Sequence, residues 1–550
     1  MTQVDLTNAP GPLAPVPFNI PQAYKTTLDN GLRVVVFEDE RLPLVSYRLA
    51  FMTGDADDPP KSVGLTSALA SMLTEGTENY SSLALAEKIE RLGASISASS
   101  SDDFTIIAAS TLALYNSEIL NLVAEIVFRP TFPENELDLY RRNMIENLKF
   151  QRSQPNFLAN EQTARLIYGK HPYSRVSPKA ADIEKLTSQA LAEFHRRQFV
   201  ANNAVLIVVG DVERESLVNE LNEHFADWER GAVAKNQDEA PKLREDSILT
   251  IVDRPGSAQA NIVLANLAIR RVDPDYFAVL VMNQVLGAGA SSRVFMNLRE
   301  EKGYTYGAYT RTDAKRNAGD FEATAEVRTA VTGDSLKEFF FELNRMRDED
   351  VADAELADAK NFLTGVFPIR AETQEGLTNL IVSQELYGLP DDYLQTYREN
   401  VSAITAADVR RVANKYIHPD KLAIVIVGDA GEILPQAREY ASDVKIFDAD
   451  GVAQSVEQYE RVNDGEASDF AGAWKLSLDF QGQQVPVSLT IAQEGNSVKG
   501  TLETVLGNGE ITSGTVRGDK IAATANTDIQ GQSVEFQING ALTNGTISGT

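Results

Sequence analysis

Residues 202–211 read Asn202-Asn203-Ala204-Val205-Leu206-Ile207-Val208-Val209-Gly210-Asp211, and 218 residues later the chain repeats the signal as Lys421-Leu422-Ala423-Ile424-Val425-Ile426-Val427-Gly428-Asp429. A continuous β-branched apolar run stopped by Gly-Asp reads as a strand buried on both faces. The openings of the two units repeat as well, with Val34-Val35-Val36-Phe37-Glu38 answered by Leu249-Thr250-Ile251-Val252-Asp253. A repeat of about 200 residues is far too long for a solenoid unit, so it implies two similar α+β domains.

Working outward from these strands divides the 550 residues into five segments. Residues 1–21, rich in Pro and Gly, read as an extended lead-in. Residues 22–228 form the first α+β domain, the charged stretch 229–246 a linker, and 247–447 the second domain. Within the first domain, Asp29-Asn30-Gly31 marks a turn before the strand Leu32 to Phe37, and Val45 to Phe51 is a second strand. Helices are expected around Leu114 to Ile126, from Pro133 into Phe150, and over Ser216 to Phe225. From residue 448 to 550 Gly, Thr, Ser and Val replace the helix formers, and runs such as Trp474 to Phe480 and Val485 to Ile491 alternate with period two. This tail reads as a small all-β barrel or sandwich in which Trp474 is core.

Composition removes several classes of function. The net charge of −28 argues against nucleic acid as a partner, since no concentrated basic patch offsets it. No run of 18 or more apolar residues is present, and the opening Met-Thr-Gln-Val-Asp lacks the basic and apolar regions of a signal peptide, which is expected to be absent or removed. With no Cys, neither a thiolate nucleophile nor a Cys-ligated metal can be built. The four histidines, His171, His195, His224 and His418, are too far apart in sequence for a helical His pair.

Several stretches, in order, resemble the insulinase/pitrilysin zinc metallopeptidases over roughly residues 24 to 445. They include Leu28 to Phe37, Gly64 to Thr77, Gly93-Ala94-Ser95-Ile96-Ser97-Ala98, Lys170-His171-Pro172-Tyr173, the two Val-Gly-Asp strand ends, and Val252 to Gln259. The resemblance implies two homologous α+β domains related by pseudo-two-fold symmetry. In catalytic members an H-x-x-E-H helix and a later Glu hold zinc and activate water. Here Ser67, Ala70 and Ser71 stand where His, Glu and His would be, and Asn147, beside Glu146, takes the later Glu position. A hydrolytic zinc needs about three protein ligands plus a water, which this set does not supply. Ser67 and Ser71 are not nucleophile candidates either, because no Gly-x-Ser-x-Gly elbow or neighbouring His accompanies them.

Residues 286–309 are the most specific stretch. Leu298-Arg299-Glu300, Gly303 and Tyr306 match the family's second-domain pattern Leu-Arg-Glu-x-x-Gly-x-x-Tyr, and Gly287-Ala288-Gly289 match its glycine-rich loop. The resemblance implies that Arg299 and Tyr306 face a zinc centre across a cavity, bind substrate and polarise the scissile carbonyl, with Gly287, Ala288 and Gly289 close to the peptide backbone. The alternative is structural: Arg299 pairs with Glu300 or Glu301, and Tyr306 is a core aromatic at a strand start. A phosphate cradle is not indicated, since no Lys-Ser/Thr follows the glycines.

The expected function is that of a zinc-less subunit of a heteromeric bacterial peptidase. It would be inactive alone, hold no cofactor of its own, and act on peptides with a zinc-bearing insulinase-family partner; a homodimer is compatible with the same sequence. The second reading is a non-enzymatic peptide-binding or assembly protein on the same fold. The appended β domain resembles modules of secreted hydrolases, which implies a periplasmic or secreted location.

Overall fold

The computed structural model describes residues 20–233, 239–461, 468–480, 483–504, 507–529, 532–543 and 545–549. The expected lead-in therefore lies outside the described residues except for Ile20 and Pro21, as do residues 234–238 of the expected linker. Among the described residues no helix is long and apolar enough to cross a membrane.

The first half contains the strands β1 (Tyr24–Thr27), β2 (Arg33–Glu38), β3 (Leu44–Phe51), β4 (Ser95–Ser100), β5 (Thr105–Leu112) and β6 (Ala204–Gly210). Its helices are α1 (Leu65–Met72), α2 (Ser82–Arg91), α3 (Asn116–Phe128), α4 (Glu134–Arg152), α5 (Pro155–Tyr168), α6 (Ala180–Ile183), α7 (Ser188–Gln198) and α8 (Arg214–His224). The second half has β7 (Ile248–Asp253), β8 (Gln259–Leu267), β9 (Thr305–Ala314), β10 (Gly319–Arg328), β11 (Ala423–Gly428), β12 (Asp443–Phe447) and β13 (Ala453–Gln454). With them go α9 (Tyr276–Leu286), α10 (Arg293–Phe295), α11 (Thr332–Asp348), α12 (Asp353–Arg370), α13 (Gln374–Leu386), α14 (Tyr393–Ala403), α15 (Ala406–Tyr416), α16 (Ala430–Ala437) and α17 (Val456–Arg461).

The sequence repeat is a topological repeat. The first sheet runs β1-β2-β6-β3-β5-β4 and the second β13-β12-β7-β11-β8-β10-β9. In each, the opening strand lies parallel to the Val-Gly-Asp strand, β2 with β6 and β7 with β11. The next three strands follow antiparallel and end on an unpaired edge, β4 or β9.

Each sheet buries both faces, but its own half covers only one. In the first sheet Val34, Val36, Leu49, Leu206 and Val208 pack under Leu69, Met72, Ile119 and Phe194 of the same half. The alternate residues Val35, Ala50, Val205 and Ile207 belong to a different core, shared with Leu377 and Ile381 of α13 from the second half. The exchange is reciprocal. Val252, Val263, Val425 and Val427 of the second sheet close against Leu158, Ala159 and Ile167 of α5 from the first half.

Polar contacts secure the same junction. Lys315 Nζ in the β9–β10 turn lies 2.7 Å from Asp102 in the β4–β5 turn, the Tyr168 hydroxyl donates to Asp320 at 2.5 Å, and that of Tyr173 donates to Asp103. On the other side Lys25 reaches Glu385 at 2.6 Å, and Arg48 pairs with Glu375.

The all-β tail is expected from residue 448, but β13 joins the second sheet and α17 is helical, so the antiparallel strands start later: β14 (Gly472–Phe480), β15 (Gln483–Glu494), β16 (Ser497–Thr504), β17 (Gly507–Arg517), β18 (Lys520–Ile529), β19 (Gln532–Thr543) and β20 (Thr546–Gly549). They form one up-and-down sheet in chain order, with Val487, Leu489, Ile491, Val498 and Ile521 in a single core and Trp474 half-buried against it. Where this sheet meets the second half it leaves a cavity of about 420 Å³ whose walls include Asp253, Tyr459 and Lys520.

Two outcomes follow from this packing. Leu158→Ala and Ile381→Ala should each cost roughly 2–5 kcal/mol, and hydrogen exchange should speed up in the opposite half, in β8 and β11 for the first substitution and in β3 and β6 for the second. Loss of protection confined to the mutated half would contradict the exchange. The second outcome concerns His195, buried with its Nε2 2.9 Å from the Val127 carbonyl; burial pushes the imidazole down to about 4. Because the folded value lies below the unfolded one near 6.5, the stabilisation is complete above that pH and is lost as pH falls from 6.5 towards 4, amounting to about 3 kcal/mol. Buried carboxylates such as Asp58 titrate in the same window with the opposite sign, so the slope should show in the difference between the denaturant stabilities of the wild type and of His195→Gln, which grows as pH rises from 4 towards 6.5.

Candidate functional site

Helix α1 carries the positions where the metal ligands would stand, and its hydroxyls are bonded within the chain, Thr66 buried, Ser67 half-buried and Ser71 exposed. The chain enters the helix through Gly64 at φ +88°. The Asp58 carboxylate accepts the N–H groups of Gly64 (2.6 Å), Leu65 (3.1 Å) and Thr66 (2.9 Å) and the Thr66 hydroxyl (2.6 Å), so it caps the helix. Burial pushes Asp58 up to about 7, against these donors, which favour its charged form. The Ser67 hydroxyl donates to Asp55 at 3.0 Å and lies 2.9 Å from Ser100 Oγ at the end of β4; Ser100 also donates to Asp55, at 2.7 Å. Burial pushes Asp55 upward as well.

Ser71 donates to the Ser67 carbonyl at 3.0 Å and lies near the phenol of Tyr140 on α4, which burial holds well above its ordinary value. Ala70 is buried. Asn147 stands exposed on α4, two turns beyond Tyr140, and Glu146 beside it pairs with Lys149 at 2.7 Å. The structure thus joins Ser67 and Ser71 with Asp55, Ser100 and Tyr140. This donor set does not fit a hydrolytic zinc: it offers no imidazole, and its hydroxyls and carboxylates are spent on one another and on the helix end. His171 and His195 are both buried, and the rings pack against Tyr173 and against Phe199 respectively.

In the second half, the segment after α9 is irregular at both candidate positions. Gly287 is buried, and a Cβ there would meet the Thr310 backbone nitrogen at 2.3 Å; that N–H donates to the Gly287 carbonyl at 3.0 Å. The backbone in close approach to Gly287 is therefore the chain's own β9. Ala288 is exposed and Gly289 half-buried, its carbonyl accepting the Ser292 hydroxyl.

After α10 the chain makes a π-helical turn over Met296–Glu301. Its inner side is pinned: the buried Asn297 amide donates to Glu338 and Glu342 of α11, both at 3.0 Å, and Arg293 forks onto Glu355 with two bonds of 2.7 Å. Arg299 on the outer side remains 46% exposed, its Nε 3.5 Å from Glu300 and its guanidinium 4.8 Å from the Phe295 ring centroid.

Strand β9 begins with a bulge. Ala325 pairs with Ala308 and Val327 with Thr305, so Tyr306 and Gly307 together oppose Glu326 alone. The Thr305 hydroxyl donates to the Glu326 carbonyl (2.6 Å) and accepts the Gly307 N–H (3.1 Å), bridging the distortion. Tyr306 is consequently 90% exposed rather than a core aromatic. π-turns and bulges recur beside functional sites because each re-aims a side chain out of a regular lattice, and here each presents one of the two residues the sequence singled out. The structure brings Arg299, Tyr306 and Gly287 to one end of the second half, and Ser67, Ala70, Ser71 and Asn147 to α1 and α4 of the first.

Sequence reasoning missed Asp55, Ser100, Tyr140, Asn297 and Glu326. Only Glu326 left a local trace, the period-two alternation of Glu322, Thr324 and Glu326 with Phe321, Ala323, Ala325 and Val327.

With this geometry in place, sequence profiles of two families match the chain. That of "Insulinase (Peptidase family M16)" covers residues 33–176, and that of "Peptidase M16 inactive domain" covers residues 185–363. An uncharacterised zinc protease of Streptomyces coelicolor is 25% identical over 401 residues, 71% of this chain and 86% of that protein. A protein of Helicobacter pylori named non-peptidase homolog YmxG is 23% identical over 72% of this chain and 91% of its own length. The crystal structure of a peptidase M16 inactive domain from Pseudomonas fluorescens superposes with a TM-score of 0.70 at 28% identity, covering 74% of this chain and 98% of that one.

Removing the Thr305 hydroxyl should regularise the strand start. Thr305→Val is expected to lower the nitration of Tyr306 by tetranitromethane several-fold and to cost about 1 kcal/mol of stability, whereas Thr305→Ser should keep both. Unchanged nitration in the valine variant would show that the bulge does not depend on this hydroxyl.

Proposed function

Because the chain belongs to the insulinase family, peptidase M16, and carries Ser67, Ala70 and Ser71 on the helix that holds zinc in the catalytic members its sequence resembles, we propose that it is the zinc-less subunit of a two-chain peptidase. One observation carries this reading. The hydroxyls of α1 are closed onto the protein, while Arg299 and Tyr306 are turned outward by two separate backbone irregularities and make only weak contacts. A fold that spends a π-turn and a bulge on exposing a guanidinium and a phenol holds those groups ready for something outside the chain.

In this proposal the partner brings the metal and the attacking water, and this chain supplies binding and charge stabilisation. Arg299 is a fixed cation with several N–H donors, and Tyr306 adds an O–H donor; both can bond a peptide carbonyl oxygen as it gains negative charge. Donors placed in this way contribute about 3 kcal/mol each where water is excluded. The free edge of β9 beside them suits an extended peptide, which would add to it as a further strand.

The second reading, a peptide-binding protein without enzymatic role, is favoured by the name of the Helicobacter pylori relative. One experiment separates the two. Purified chain should cleave no unstructured peptide, and addition of an H-x-x-E-H subunit from the same source should give cleavage. Arg299→Ala or Tyr306→Phe should then lower kcat/KM by about 10²-fold. A partner fully active without this chain leaves the second reading.

A further inference from the structure

Beyond the reach of α5 the inner face of the second sheet changes chemistry. Under the helix that face is Val263, Ala265, Val425 and Val427. One strand farther out it becomes Glu322, Thr324 and Glu326 on β10 with Tyr309 and Arg311 on β9. Together with Asn156 and Asn160 at the start of α5, and Asn261 on β8, these residues enclose a cavity of about 360 Å³. The strand pairing places its mouth beside the bulge, since Glu326 is the residue opposite Tyr306 and Gly307.

The charges in this cavity are unequal. Glu322 is buried and satisfied by Arg311, whose Nε lies 2.8 Å from it. The Glu326 carboxylate is exposed and has no partner among the described residues, although its carbonyl is held by Thr305. The remaining lining is uncharged, with the amides of Asn160 and Asn261 and the hydroxyls of Thr324 and Tyr309. Gly307 keeps the entrance open, because a Cβ there would stand 2.7 Å from the Tyr309 ring. A peptide added along the unpaired edge of β9 would place alternate side chains on this face.

We propose that this cavity is a subsite for a lysine or arginine side chain of an extended peptide laid along β9, with the Glu326 carboxylate as its counter-ion. The proposal rests on the reading of Arg299 and Tyr306 as peptide-binding groups and adds a substrate class to it. An acidic side chain would meet the unpaired Glu326 and be repelled, Arg311 being already committed to Glu322. An apolar one would desolvate Glu326 without pairing it. A long basic side chain satisfies Glu326 with its head and passes its stem along Tyr309. The net charge of −28 favours the approach of such peptides.

The test uses the full chain and fluorescein-labelled nonapeptides of alternating serine and alanine whose central residue is lysine, norleucine or glutamate, followed by fluorescence anisotropy. The lysine peptide should bind about tenfold more tightly than the norleucine peptide, and added salt should erode that margin. Glu326→Gln should abolish the margin, weakening the lysine peptide as its counter-ion is lost and tightening the norleucine peptide as the desolvation cost is relieved, and Glu326→Lys should shift preference to the glutamate peptide. Arg299→Ala should weaken all three peptides alike. Binding without a lysine preference, or a preference that survives in Glu326→Gln, overturns the subsite and leaves the reading of Arg299 and Tyr306 standing. If none of the three peptides binds, that reading falls and the subsite falls with it.

Discussion

The structure depends on a mutual debt between its halves. Each sheet has two apolar faces, yet each half folds helices onto only one of them; the other face is covered by a single helix borrowed across the junction, α13 on the first sheet and α5 on the second. Leaving either face wet would expose several valines and isoleucines at once, at roughly 1.5–3 kcal/mol for each side chain. Neither half is therefore complete alone, and Val205 to Val209 or Ala423 to Val427 must be apolar at every position rather than alternately.

On this shared scaffold the halves diverge. In the first, the helix beside the edge strand β4 is sealed by bonds among Asp55, Asp58, Thr66, Ser67 and Ser100, a compact polar plug under Tyr140. In the second, the corresponding end of the sheet is distorted in two places, and each distortion is held from behind by Asn297 or Thr305. The polar resources of one half go into closing a surface and those of the other into opening one. The same topology thus presents two unlike faces to whatever approaches.

The two-domain fold was legible because a strand buried on both faces has to be uniformly apolar, and the paired Val-Gly-Asp endings recorded that condition twice. The helices that create the condition were not legible. Leu158 and Ile381 look like ordinary core residues, and no local pattern states that the sheet they cover belongs to the other half. Ser67, Ala70 and Ser71 could be read as a missing ligand set, but the partners of Ser67 lie 12 and 33 residues away and are fixed only by folding. For Tyr306 the sequence favoured a donor facing a cavity, with a core aromatic as the alternative. Bulge register decided between them, and register is a property of two strands rather than one. Gly287 suggested room for a foreign backbone, and the space is filled by the chain's own Thr310.

The borrowed helices also bear on how the chain assembles. A first half meets the same apolar helix and the same ion pairs whether the second half comes from its own chain or from a neighbour, since every contact across the junction is indifferent to covalent connection. What distinguishes the two outcomes is effective concentration, set by the short segment joining Trp228 to Ser247. At low protein concentration the tethered partner wins. Raising the concentration of chains works against that advantage, which is the general condition under which halves are exchanged between molecules.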